Sequence, residues 1–157
     1  MKDCYNRKAI GKSGWWKMLL EIKPARDADE AEVIALWRAC GLVVSHNDPA
    51  TDYRFARAKL NSDILVSVTS GEKIIGSAMV GHDGHRGWLY YVAVAPEHRS
   101  KGIGRALVRA GEEWLASRGV PKIQLMVRET NTEVAAFYER VGFKTIPRTV
   151  MEKWLRH

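Results

Sequence analysis

The run Val92-Ala93-Val94-Ala95-Pro96-Glu97-His98-Arg99-Ser100-Lys101-Gly102-Ile103-Gly104-Arg105 decides the fold. Residues from Trp88 to Val94 are apolar almost throughout, which predicts a strand inside a sheet rather than at its edge. Pro96 stops that strand. A short loop rich in positive charge follows, and a helix begins near Gly102. The first turn of a helix carries unpaired backbone N–H groups and a partial positive charge. Gly102 and Gly104 let an anion approach that backbone closely, and Arg99, Lys101 and Arg105 surround it with positive charge. These features predict a pyrophosphate site. The plainer reading, a helix start with two glycines in a turn, is equally open on this stretch alone. Other phosphate motifs fit badly. No GxxxxGKS or GxxxxGKT run occurs, and the GxGxxG pattern fails because Leu107 stands where its third glycine would be.

Toward the N-terminus, Leu19–Lys23 reads as a short strand. Asp27 with Glu30 has capping-box spacing, and Val33, Leu36, Trp37 and Cys40 form one helical stripe stopped by Gly41. His46-Asn47-Asp48-Pro49 is a loop, and Asp48 or Thr51 caps a second helix to about Leu60. Alternation at Ile64, Val66 and Val68 makes 63–69 a strand. Turns at Ser70-Gly71-Glu72 and His82-Asp83-Gly84-His85 then bound a strand over 73–81 and lead into Trp88–Val94. Toward the C-terminus, Ile103, Leu107, Ala110 and Trp114 share one face of a helix ending at Arg118-Gly119. Ile123, Leu125 and Val127 form the next strand. Glu133–Val141 is a helix closed by Gly142, and Phe143–Ile146 and Val150–Trp154 are final short strands. The order β-α-α-β-β-β-α-β-α-β-β predicts an α/β fold of the α+β type, a mixed sheet with helices on both faces.

A chain of 157 residues buries a full core, and 46% hydrophobic with 27% charged residues is a globular composition. No run approaches the roughly 18 apolar residues of a membrane span. Cys4 and Cys40 are the only cysteines, which excludes a disulfide framework, argues against a structural zinc site and fits a reducing, cytoplasmic compartment. The net charge is +7, but the first 17 residues hold five basic side chains and one acid, so the remainder carries 20 basic and 17 acidic residues. That near balance weakens a nucleic-acid reading and fits a small anionic ligand. Residues 1–17 are expected to be an N-terminal extension, a misassigned start or a remnant of cloning. A single domain is expected over 18–157.

A second constellation lies downstream. Asn131 follows a strand, and Ala135-Ala136-Phe137-Tyr138-Glu139-Arg140-Val141-Gly142-Phe143 follows on a helix. Alone, a Phe-Tyr pair on a helix is core packing. Together, Arg-x-x-Gly-x-Gly after a Val-Ala-Val strand, then Asn and Ala-Ala-Phe-Tyr-x-x-x-Gly-Phe, resemble the GNAT superfamily of acyl-coenzyme A-dependent N-acetyltransferases. The resemblance spans roughly Leu19 to Trp154. The details LWRACGL, HNDP, GHDGHRG, YYVAVAPEHR, GVPKIQ and FYERVGF are similar, more narrowly, to the small bacterial acetyltransferases called YpeA.

The resemblance implies transfer of acetyl from acetyl-CoA to a primary amine by direct attack, with no metal. It implies that the strand matching Val92–Val94 splays from its neighbour and that Val92 and Val94 pair with the pantetheine amides. The loop of Ser100, Lys101, Gly102, Ile103, Gly104 and Arg105 would cradle the pyrophosphate beside Arg99. Asn131 would bond the pantetheine arm, and Tyr138 would protonate the departing thiolate. The amine must be neutral to attack, and a lysine-like amine has a pKa of about 10.4 in water. The oxyanion needs a donor, and the Val92 backbone N–H is the candidate. Dimers are common in the superfamily, so a homodimer is an open expectation; the acceptor is expected to be a small-molecule or peptide amine.

The usual bases are missing. Histone-type relatives carry Glu where Trp88 stands, and the ribosomal-protein alanine acetyltransferases carry Glu where Met126 stands. His82 and His85 are alternative bases, as is ordered water. The Asp83-Gly84 pair favours a plain turn there. Two rival functions are a CoA-binding regulatory module without turnover and a basic nucleic-acid-binding domain.

Overall fold

The computed structural model describes residues 20–155; the expected extension at 1–17 lies outside them. Five strands follow one another across a single sheet in chain order. They are β1 (Glu21–Pro24), β2 (Ser62–Val68), β3 (Ile74–His82), β4 (Gly87–Val94) and β5 (Ile123–Gln124). β1 to β4 are antiparallel neighbours, and β5 joins β4 in parallel. Antiparallel strands need only short turns, whereas the parallel step from β4 to β5 needs a crossover, which α3 (Ile103–Ala116) supplies. α1 (Glu30–Ala39) and α2 (Pro49–Ala56) link β1 to β2, and α4 (Thr132–Arg140) follows β5. Among the described residues no helix is long and apolar enough to cross a membrane.

Strand alternation sends Ile64, Val66 and Val68 to the face covered by α1 and α2, and Leu65 to the face covered by α3. Trp37 and Tyr53 are fully buried on the first face. Their polar atoms are paired: the Trp37 indole N–H donates to Ser77 Oγ at 2.9 Å, and the Tyr53 hydroxyl to the Arg26 carbonyl at 2.7 Å. On the second face α3 lies tight against the sheet because two contact positions lack side chains. A Cβ on Gly111 would sit 2.8 Å from Leu89 Cδ2, and one on Gly87 2.5 Å from Leu115 Cδ1.

Several expectations shift. The capping interaction before α1 is one residue early: the Arg26 amide and guanidinium bond Asp29, at 2.7 and 3.0 Å. Asp48, not Thr51, caps α2, accepting from the Ala50 amide at 3.1 Å and the Thr51 hydroxyl at 2.6 Å. The buried stripe of α3 is Ile103, Leu107, Val108, Gly111 and Leu115, with Ala110 and Trp114 only half-buried beside it. The expected strands Phe143–Ile146 and Val150–Trp154 do not form. Their pattern suits a strand, but β5 is two residues long, so no ladder is presented for them to join, and Val150, Met151 and Leu155 stay exposed.

Candidate active site

The strand that carries the site changes phase partway along. Met79 pairs with Tyr90 and Ser77 with Ala93, so two residues of β4, Tyr91 and Val92, oppose Ala78 alone. This is a β-bulge. Tyr91 adopts the left-handed conformation, φ +48°, which a bulky residue holds only where its surroundings compensate. The compensation is visible. The Tyr91 ring stacks on Trp37 with centroids 4.1 Å apart, its hydroxyl donates to Asp52 Oδ2 at 2.7 Å, and its carbonyl accepts from Ser77 Oγ at 3.3 Å. Burial first, and the Asp52 bond next, push its phenol up to about 12.

The bulge turns main-chain groups outward. Before it, the Gly87 amide points to the β5 side and bonds the Lys122 carbonyl at 2.8 Å; after it, the Ala95 amide points to β3 and bonds Ile75 at 2.9 Å. Alternation then directs the amides of Val92 and Val94 to the β5 side. There β5 pairs only with Gly87 and Trp88, so β4 and β5 part beyond that point. The Val94 carbonyl on this side accepts from Cys40 Sγ at 3.4 Å and Arg99 Nε at 3.3 Å.

The loop after β4 is wound by two left-handed residues, Ser100 at φ +61° and Gly102 at φ +82°. Gly102 precedes α3 with no side-chain cap and no acid in the first turn. The first helical bond is Ala106 N–H to the Gly102 carbonyl, at 3.0 Å. The amides of Ile103, Gly104 and Arg105 are therefore not used by the helix. Lys101 Nζ bonds the Glu97 carbonyl at 3.0 Å, while Arg105 is exposed. Arg105, Arg109, Glu112 and Arg140 line a groove of about 380 Å³ between α3 and the end of α4, and Arg109 pairs with Glu113 at 3.0 Å. Gly104 has a different neighbour from the one expected: a Cβ there would lie 3.2 Å from Phe137 Cζ and 3.7 Å from Val94 Cγ2. Its bareness lets α3 close on the α4 aromatic.

Tyr138 is half-buried in an apolar cluster that includes Val92 and Leu125, where the two strands separate. It meets Phe137 and Phe143 edge to face, at 5.1 and 5.4 Å. Burial pushes its phenol up to about 12, so it is protonated at neutral pH. Asn131 is exposed and caps α4, accepting from the Val134 amide at 3.4 Å. Seven residues of helix, about 10 Å, separate it from Tyr138. The structure thus brings Val92 and Tyr138 into one apolar cluster and sets Gly104 against Phe137 and Val94, while Asn131 stays exposed at the start of α4.

The histidine turn is built by Asp83. Its carboxylate accepts the amides of His85 and Arg86, at 2.8 and 2.6 Å, and the Trp88 indole N–H at 3.1 Å. The two amide bonds and then the indole hold its pKa down at about 2. Tyr91 and Asp52 are the residues that sequence reasoning missed. A strand with no alternation shows no break where a bulge enters.

A strand that parts from its neighbour and runs into an uncapped helix start leaves main-chain amides free for a ligand. The model described as the acetyltransferase (GNAT) family matches residues 30–143, and the chain belongs to that family. It is 43% identical over 139 residues to acetyltransferase ECA0875 of Pectobacterium atrosepticum, covering 87% of this chain and 96% of that one. Solved structures agree in fold. AAC(6')-Iy in complex with the bisubstrate analogue CoA-S-monomethyl-acetylneamine matches with a TM-score of 0.74 at 16% identity, over 86% of this chain and 97% of that chain. The aminoglycoside 6'-N-acetyltransferase AAC(6')-Ih from Acinetobacter baumannii matches with a TM-score of 0.73 at 21% identity, over 88% and 99%.

Proposed function

We propose that the protein transfers acetyl from acetyl-CoA to a primary amine, in the cytoplasm, by direct attack within a ternary complex. The observation that carries this is the opening between β4 and β5, with the Val92 and Val94 amides turned into it and the free start of α3 beside it. In this reading the pantetheine lies along Val92 and Val94 and bonds Asn131. The pyrophosphate rests on the amides of Ile103, Gly104 and Arg105, with Ser100, Gly102, Arg99 and Lys101 shaping the loop. For Arg99 and Lys101 this means exchanging their carbonyl partners for phosphate oxygens, which charge assistance favours.

The neutral amine nitrogen attacks the thioester carbonyl. The oxyanion takes the Val92 N–H, the carbon–sulfur bond breaks, and the nitrogen gives up its proton. Tyr138, held protonated by burial, donates toward the leaving sulfur, giving free CoA and an acetamide. Small amines are favoured as acceptors because structural neighbours such as AAC(6')-Ih are aminoglycoside N-acetyltransferases.

The test is thermal and then chemical. Acetyl-CoA at a hundred times its Kd should stabilise the folded chain by about 2.7 kcal/mol, raising Tm. A panel of primary amines should then release CoA thiol. No Tm shift removes the cofactor assignment; a shift with no turnover on any amine points to a CoA-binding module instead.

A further inference from the structure

Beside the opening, on the face away from α3 and α4, lies a feature that the transfer chemistry does not use. Trp88 and Tyr90 project from β4 as a parallel pair, centroids 6.2 Å apart and planes 14° apart. Tyr90 is 41% exposed. Gln124 pairs with Trp88 across β5, so alternation puts Met126, 52% exposed, on the same face across the gap. At the far end of the pair stands Asp83, whose three bonds all come from neutral N–H groups. Among the described residues it forms no ion pair, and its field reaches Tyr90: after burial, it is what holds that phenol above its ordinary value. Two stacked rings under a negative field attract a cation by the ring quadrupole and by charge.

We propose that this surface recognises a second positive charge on the acceptor, so that the preferred substrate is a di- or polycationic amine. The inference rests on the acetyl-transfer reading above and names its substrate class. The reacting nitrogen enters the gap near Val92, while a distal ammonium rests on the Trp88–Tyr90 rings beside Asp83. Four residues of strand separate Trp88 from Val92, about 10 to 13 Å, which sets the spacing between the two nitrogens. Asp83 has a low pKa because of the turn it builds, so this anion persists throughout the neutral and alkaline range in which the transfer is assayed.

The experiment compares kcat/KM for spermidine, cadaverine, putrescine and n-octylamine. Spermidine and n-octylamine are similar in length, so their ratio isolates the distal charge from apolar contact. Spermidine should exceed n-octylamine at least tenfold, chiefly through KM, with cadaverine and putrescine falling progressively behind as the span shortens. Asp83→Asn keeps an oxygen for the His85 and Arg86 amides but removes the charge, and should bring the ratio close to one. Trp88→Leu should do the same, and Trp88→Phe should restore part of it. Equal rates for spermidine and n-octylamine, or a ratio that survives Asp83→Asn in a variant with unchanged Tm, would overturn the proposal. If acetyl-CoA binds and only monoamines react, this inference fails while acetyl transfer stands. If acetyl-CoA does not bind, both fall.

Discussion

The two faces of β4 are made from different materials. Toward α3 and α4 the chain offers main chain: the amides of Val92 and Val94, the unused N–H groups that open α3, and a bare Gly104 against Phe137. Toward α1 and α2 it offers side chains: the Trp37–Tyr91 stack, the Tyr91–Asp52 bond, and the Trp88–Tyr90 pair with Asp83. A cofactor shared by a whole family can be met by backbone, which every sequence possesses. An acceptor that differs between members must be met by side chains. The difference teaches where specificity is free to change without touching the chemistry.

The sharpest way to break this division is at Tyr138, the side chain proposed to act in the chemistry from the α3 and α4 side. Tyr138→Phe keeps the ring against Phe137 and Phe143 and removes the hydroxyl. Its kcat should fall about 100-fold or more, the scale of general acid catalysis, with acetyl-CoA affinity and Tm held. A full-rate variant with a true acceptor would remove Tyr138 from the mechanism.

The pH profile probes the acceptor face. With Trp88 and Met126 at the usual Glu positions, no carboxylate there neutralises the amine. For an acceptor of pKa about 10.4, kcat/KM should then climb about tenfold per pH unit from 7 to 9, following the neutral amine. A plateau near pH 7 would instead assign a base such as His82 or His85.

Gly104→Asp puts a carboxylate at the start of α3, where the helix end favours an anion from outside. The acetyl-CoA-dependent Tm shift should vanish. Gly104→Ala is the control: it crowds Phe137 and lowers Tm, yet should keep most of the shift. An Asp variant that binds as tightly as the parent removes the phosphate assignment.

Smaller effects are expected from the scaffold. Ser77→Ala leaves the fully buried Trp37 indole N–H without its acceptor and should cost about 1–3 kcal/mol of stability, read by denaturant midpoint. It also removes the hydroxyl that bonds the Tyr91 carbonyl, so a parallel loss of acetyl-CoA binding would show that the side-chain face holds the backbone face in place. Smallest is the titration of Asp83. Its folded pKa, about 2, lies below the ordinary value of 3.8, so its stabilising contribution is complete above about pH 4 and is lost as pH falls toward 2. Carboxyl NMR should find the midpoint near 2; one near 3.8 would mean that the turn does not hold the charge.

Much of this was legible in the sequence, and the limits have physical causes. The strand–loop–helix run around Gly102 announced itself because proline, glycine and charge each constrain the backbone locally. Asp48 was readable as a cap for the same reason. The C-terminal strands were misread because a strand pattern states only what a segment would bury, not whether a neighbouring edge is long enough to receive it. At Gly104 the sequence suggests room for an anion, and the structure adds a nearest neighbour that it does not suggest, an aromatic ring thirty-three positions along. Contacts at that range leave no local mark.

The bulge at Tyr91 has a consequence for how the chain tolerates change. A strand keeps an odd–even count, and this one is reset midway: Gly87 and Leu89 face α3 before the bulge, and Val92 and Val94 after it. Deleting Tyr91 would leave Val92 opposite Ala78 and the later pairs of β4 in register, so Val92 and Val94 would keep their face while the Trp37 stack and the Asp52 bond are lost. Such a deletion removes no atom assigned to the cofactor, and it would separate what the cradle owes to the strand's register from what it owes to the Tyr91 side chain. The extra residue is thus a reserve of length: the ladder can absorb one deletion here without exchanging its faces, which a regular strand cannot do.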